Sequence, residues 1–116
     1  MAVCNDAAYF RQFVAGLIAE AQARVPALGT PAPLQFDDRA KGPAYAVASE
    51  EQRKFIVEVA RLSGLVLDPV YTGKALFGLA ESIRTEGSRV GHRVLFLHTG
   101  GLPGLLAQGA EFEQDL

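Results

Sequence analysis

The chain has 116 residues, 49% of them hydrophobic and 21% charged, with a formal net charge of −2. With 11 basic residues against 13 acidic ones and no basic block, nucleic-acid binding through bulk electrostatics is excluded, and no apolar stretch approaches the ~20 residues that span a bilayer. A single cysteine, Cys4, excludes an internal disulfide, and no ligand cluster suggests a metal site. The first residues, Met1 to Asp6, lack the charged and apolar regions of a signal peptide, so the expectation is a soluble, cytoplasmic chain. Its length allows one domain at most. Its composition is apolar for that length, as if part of its surface is covered by something else.

Residues 6–25 predict an amphipathic helix, opened by Asn5 or Asp6 and carrying Phe10, Phe13, Val14, Leu17, Ile18 and Ala21 on one face. Pro26 and Gly29 end it. Residues 25–43 are proline-rich and loop-like, with 33–36 able to form a short strand. Ser49 and Gln52 make a capping box for a helix with Phe55, Ile56, Val59, Ala60 and Leu62 inward, and Gly64 suits its left-handed end. The apolar run 65–67 is closed by Asp68-Pro69. Residues 72–86 predict a helix stopped by Gly87, with Leu76, Phe77, Leu79, Ala80 and Ile83 inward. Residues 94–97 are a second apolar run without alternation, as expected of a strand buried on both faces. Residues 102–108 are a short helix with a proline in its first turn, and residues 109–116 form an acidic tail expected to fray.

Strand, helix and strand across 65–98 predict a βαβ unit, and therefore an α/β fold with a partial parallel sheet and flanking helices. Both loops leaving these strands, Val70-Tyr-Thr-Gly73 and His98-Thr-Gly-Gly101, would emerge at one carboxyl edge, where open sheets bind ligands. The two or three strands exceed what the available helices can cover. The whole chain, 1–116, thus reads as a single incomplete domain. Each turn alone is weak evidence. Lys74 follows no Gly-x-x-x-x-Gly loop, which excludes a Walker phosphate site.

Taken together, the string Gly64-Leu-Val-Leu-Asp-Pro-Val-Tyr-Thr-Gly-Lys-Ala75 and the later Val94-Leu-Phe-Leu-His-Thr-Gly-Gly101 closely resemble the C-terminal end of a known family. It is that of the pyridoxal-phosphate enzymes D-cysteine desulfhydrase and 1-aminocyclopropane-1-carboxylate deaminase. Gly42-Pro-Ala-Tyr45 matches the family's Gly-x-Gly-Tyr segment, with Ala44 in place of its second glycine. The resemblance runs from about residue 3 to Gln108 and implies the C-terminal part of a tryptophan-synthase-beta-like fold. It implies catalytic tyrosines at Tyr45 and Tyr71, and cofactor contacts from Thr72, Thr99 and Gly100. Deaminases carry glutamate where this chain has Thr72, and usually leucine where it has Thr99. A carboxylate can share a proton with the pyridine nitrogen, whereas a threonine hydroxyl can only hydrogen-bond it. That weaker electron sink suits elimination of a good leaving group. The resemblance therefore implies desulfhydrase chemistry on a small D-amino acid, D-cysteine to pyruvate, ammonia and sulfide, with the deaminase as the alternative.

The family's Schiff-base lysine, its Ser-Asn-His segment and its glycine-rich phosphate loop are not found in this chain. Its lysines are Lys41, Lys54 and Lys74, and Lys74 matches the family's lysine after the Tyr-Thr-Gly turn, a residue that is not the Schiff-base one. Without that lysine the chain alone is expected to be inactive. Its expected partner is the missing N-terminal half or another protomer, as a homodimer when complete; a non-catalytic remnant or interaction module is the other class. Of the remaining residues, His98 reads as a satisfied core histidine rather than a ligand. Asp68 reads as a cap for backbone amides, and Cys4 as a small apolar residue.

Overall fold

The computed structural model describes residues 5–115, so Cys4 lies outside the described residues. The elements are α1 (Ala7–Arg24), α2 (Glu50–Ser63), α3 (Thr72–Glu86), α4 (Leu102–Ala107) and α5 (Gly109–Phe112), with 3-10 turns at Pro26–Leu28 and Gly87–Val90. The local signals place the helix ends. Of the two candidate caps of α1 it is Asp6 that accepts from Tyr9 N, at 2.7 Å. For α2, Ser49 Oγ accepts from Gln52 N at 3.2 Å while Gln52 Oε1 accepts from Ser49 N at 3.0 Å, and Gly64 closes the helix at φ 73°. Gly87, at φ 52°, ends α3.

The expected parallel sheet is not there. Among the described residues neither 65–67 nor 94–97 is a strand, nor is 33–36, and the β pairing is an isolated antiparallel bridge between Ala44 and Val47. The α/β reading, with its partial sheet and βαβ crossover, is therefore replaced by a helical architecture. Apolar runs signal a wish for burial, but a strand forms only where a neighbouring backbone supplies its hydrogen bonds. Here a side chain links the two segments, His98 Nε2 reaching Val66 O at 3.0 Å. Leu95 and Leu97, expected inside a sheet, are 92% and 76% exposed.

The core sits between α2, the 65–70 segment and the C-terminal helices. Ile56, Val57, Leu67 and Phe112 are buried together, with Phe55, Val59, Leu76, Phe96 and Leu105 against them. Phe55 and Phe77 meet edge to face across the α2–α3 contact, with centroids 5.5 Å apart. Val57 takes the inward place that the periodicity assigned to Leu62, which is exposed. Part of the acidic tail also contacts the core. Residues 109–112 are helical, Phe112 is buried, and Asp115 accepts from Arg53 Nε at 2.8 Å, because one aromatic anchor outweighs the fraying tendency of acidic neighbours.

Helix α1 has no buried residue, and Tyr9, Phe13 and Leu17 of its apolar side are exposed. The radius of gyration is 16.2 Å, against about 13 Å for a compact chain of roughly this length. The apolar surplus in the composition is thus visible as uncovered apolar surface. No helix among the described residues is long and apolar enough to cross a membrane.

Candidate functional site

The site begins with a carboxylate that organises a turn. Asp68 is buried. Its Oδ2 accepts from Val70 N at 2.9 Å and Tyr71 N at 2.8 Å, and its Oδ1 accepts from Thr72 N at 2.7 Å and Thr72 Oγ1 at 2.6 Å. In return Asp68 N donates to Thr72 Oγ1 at 2.9 Å. These bonds satisfy the free amides at the start of α3. Burial pushes the Asp68 carboxyl up, but the Thr72 hydroxyl and the Thr72, Tyr71 and Val70 amides outweigh it and hold it below the ordinary value. The sequence reading of Asp68 as a cap describes this arrangement.

The turn it shapes presents Tyr71, which is partly exposed. Tyr45, from the loop before α2, meets it with hydroxyl oxygens 2.5 Å apart and ring planes at 63°. Two tyrosines separated by 26 positions are therefore joined phenol to phenol. Thr72, which the resemblance puts at the cofactor, has a buried hydroxyl whose hydrogen goes to Asp68. Thr99 and Gly100 lie exposed in the turn before α4. Gly100 N donates to His98 Nδ1 at 3.1 Å, so Nδ1 is the acceptor and Nε2–H donates to Val66 O. His98 is thus satisfied by backbone, although it is exposed rather than part of the core. Gly101 has φ 111°, and a Cβ there would stand 2.4 Å from Asp68 Cγ. The backbone of the Thr99 turn consequently rests on the carboxylate that shapes the Tyr71 turn.

The Tyr45 loop has little regular structure and is held by side chains. Gln52 Nε2 donates to Ala40 O at 2.8 Å, Lys74 Nζ to Lys41 O at 2.8 Å and Ala44 O at 3.0 Å, and Gln108 Nε2 to Ala46 O at 3.1 Å. Ala46 is the described non-glycine residue with positive φ, 60°, which costs about 1–2 kcal/mol and persists because its neighbours are tied. Ala44 is not in the left-handed region, so alanine in place of the family's glycine meets no conformational penalty here. Lys74, Gln52 and Gln108 were missed as site residues. Gln52 was visible only as a cap, and nothing local distinguishes a lysine that will be buried.

The chain's three lysines differ in their surroundings. Lys54 is exposed and paired with Glu50, Lys41 is exposed on its loop, and Lys74 is fully buried against two carbonyl oxygens. Mixing the chain with pyridoxal phosphate and reducing with borohydride is expected to leave Lys74 unmodified by mass spectrometry. A single specific adduct on Lys74 would contradict the burial described here.

Curated proteins similar to this chain are named as D-cysteine desulfhydrases, 1-aminocyclopropane-1-carboxylate deaminases or both. It is 40% identical over 104 residues to a bifunctional D-cysteine desulfhydrase/1-aminocyclopropane-1-carboxylate deaminase, mitochondrial, of Arabidopsis thaliana, covering 89% of this chain and 25% of that protein. A putative 1-aminocyclopropane-1-carboxylate deaminase of Thermotoga maritima is 46% identical over 71 residues, 61% of this chain and 22% of that protein. A D-cysteine desulfhydrase of Yersinia enterocolitica is 43% identical over 77 residues, 66% of this chain and 23% of that protein. The chain thus spans a quarter or less of these relatives, in their C-terminal part. No family model matches it, and no solved structure does.

Proposed function

Because the chain belongs to the D-cysteine desulfhydrase/1-aminocyclopropane-1-carboxylate deaminase family, matching its C-terminal part, we propose that it supplies one wall of the active site of a pyridoxal-phosphate-dependent desulfhydrase-like lyase. The substrate of the whole enzyme is a small D-amino acid, D-cysteine, converted to pyruvate, ammonia and sulfide. The observation that carries this reading is the Tyr45–Tyr71 phenol pair, 2.5 Å between oxygens, on a turn set by Asp68.

The roles follow from the hydrogen inventory. One phenol donates to the other. A phenol of this pair can hold a substrate carboxylate or give a proton to a departing thiolate. Thr99 and Gly100 lie exposed in the turn whose Gly101 packs on Asp68, and in this reading the Thr99 hydroxyl donates to a neutral acceptor such as a pyridine nitrogen. Thr72 supports Tyr71 through Asp68 and needs no cofactor contact. Pyridoxal phosphate, when held by the rest of the enzyme, supplies the electron sink for β-elimination. The exposed apolar side chains of α1 and of residues 94–97 support covering by the remainder of a longer enzyme or by a second protomer.

The test is a chimera in which this chain replaces the matched C-terminal part of the Yersinia enterocolitica relative. Sulfide release from D-cysteine is expected, with 1-aminocyclopropane-1-carboxylate as the comparison substrate. Tyr45→Phe and Tyr71→Phe are each expected to lower kcat on the order of 100-fold or more. A chimera that binds pyridoxal phosphate but turns over at full rate with both phenylalanines would overturn the assignment of the pair. Turnover of the cyclopropane substrate alone would move the chain to the deaminase reading.

A further inference from the structure

Lys74 is completely buried, at 0% exposure. A buried ammonium is costly unless strong acceptors compensate it, and here its hydrogen bonds go to the carbonyls of Lys41 and Ala44, at 2.8 and 3.0 Å. Those two carbonyls bracket Gly42-Pro43, and Ala44 immediately precedes Tyr45. Gly42 has φ 76°, and a Cβ on it would lie 3.1 Å from Lys74 Nζ and 2.9 Å from Val47 O, so the loop backbone closes tightly around the ammonium. Ala44 O also accepts from Val47 N at 3.2 Å, fastening the far side of the Tyr45 turn.

We infer that Lys74 is a positioning residue: by gripping the carbonyls of Lys41 and Ala44 it holds the Tyr45 hydroxyl against that of Tyr71. The first turn of α3 then controls both phenols. Its Asp68–Thr72 cap shapes the Tyr71 turn, and its Lys74 reaches across to the Tyr45 loop. Charge-assisted bonds from an ammonium to carbonyl oxygens are stronger than neutral ones and suit a loop without ladder partners of its own. Burial lowers the ammonium's pKa, and the carboxylate of Asp68 acts in the opposite direction. This inference rests on the reading of the tyrosine pair as the site's wall.

The full chain tests the geometry without any activity. Its only tyrosines are Tyr9, Tyr45 and Tyr71, which keeps a ring-labelled NMR spectrum simple. Wild type is expected to show ring-to-ring cross-peaks between Tyr45 and Tyr71, and Lys74→Met to lose them while the amides of the last two turns of α3 keep their shifts. Persistence of those cross-peaks at full intensity in Lys74→Met would overturn the inference. Reductive methylation of wild type needs no variant to fold: Lys41 and Lys54 are expected to label well before Lys74, and equal rates would also overturn it. In the chimera, Lys74→Met is expected to lower kcat by about 100-fold through misplacement of Tyr45. The double variant Tyr45→Phe/Lys74→Met should then be no slower than Tyr45→Phe alone. Multiplied losses would show that Lys74 acts on the fold and not through Tyr45. If Tyr45→Phe is itself harmless while the cross-peaks still depend on Lys74, the tie stands and the catalytic reading of the pair falls.

Discussion

Asp68→Ala is expected to destabilise the chain by about 3 kcal/mol, because it strands three backbone amides and one hydroxyl at once. All four donors converge on one buried carboxylate, and the residue between two of them is the site tyrosine, Tyr71. The loss should appear as a lower urea midpoint with an unchanged m-value. Asp68→Asn retains one acceptor oxygen and turns its amide donors toward other donors, so it should fall between wild type and alanine. The pH dependence has a definite sign. The folded-state pKa of Asp68 lies below its ordinary value, so its contribution is complete above the unfolded pKa of about 3.9 and is lost as pH falls through the folded value. The stability gap between wild type and Asp68→Ala should therefore be constant near neutrality and close only below about pH 4. A gap that closes on raising the pH instead would show that the carboxylate is not the stabilising form.

Gly73→Ala gives the second large effect, and here two physical rules predict opposite signs. Helix propensity alone favours alanine by about 1 kcal/mol in α3. The packing forbids it. A Cβ on Gly73 would stand 2.4 Å from Ile56 Cδ1, 2.7 Å from Ile56 Cγ1 and 2.6 Å from Asp68 O. The isoleucine tip can turn away, but Asp68 O is backbone and already accepts from Gly73 N at 2.8 Å. The expected net result is a loss of roughly 2 kcal/mol by thermal unfolding. Ile56→Val removes the closest carbon and should recover part of that loss, a coupling that a double-mutant cycle measures directly. Wild-type or higher stability of Gly73→Ala would show that α2 and α3 do not approach this closely.

Much of the helical structure was legible because its causes are local. The Ser49–Gln52 box, Gly64, Gly87 and the proline at the start of α4 mark ends that depend on bonds within four residues. Asp68 was readable for the same reason, as its acceptors serve amides two to four positions on. The sheet was not readable. Runs 65–67 and 94–97 carry the composition of buried strands, but pairing needs a second backbone at the right place, which composition does not encode. Phe112 escaped notice because its neighbours are acidic, and its burial depends on an α2 surface more than 50 positions earlier in the chain.

The site divides along the same line. Tyr45, Tyr71 and the Thr99 turn were legible as candidates only through a family resemblance carried by contiguous strings, since residue type and spacing alone gave weak turns. That the two phenols touch, that Thr72 spends its hydroxyl on Asp68, and that Lys74 grips the Tyr45 loop were decided by the tertiary structure. A helix cap is written within one turn of chain, whereas a hydroxyl's partner or a buried ammonium's acceptors come from wherever the fold brings another backbone. The opening surplus of apolar residues was likewise plain from composition. Only the structure shows where it lies, on α1 and residues 94–97, since exposure depends on which faces the rest of the chain covers.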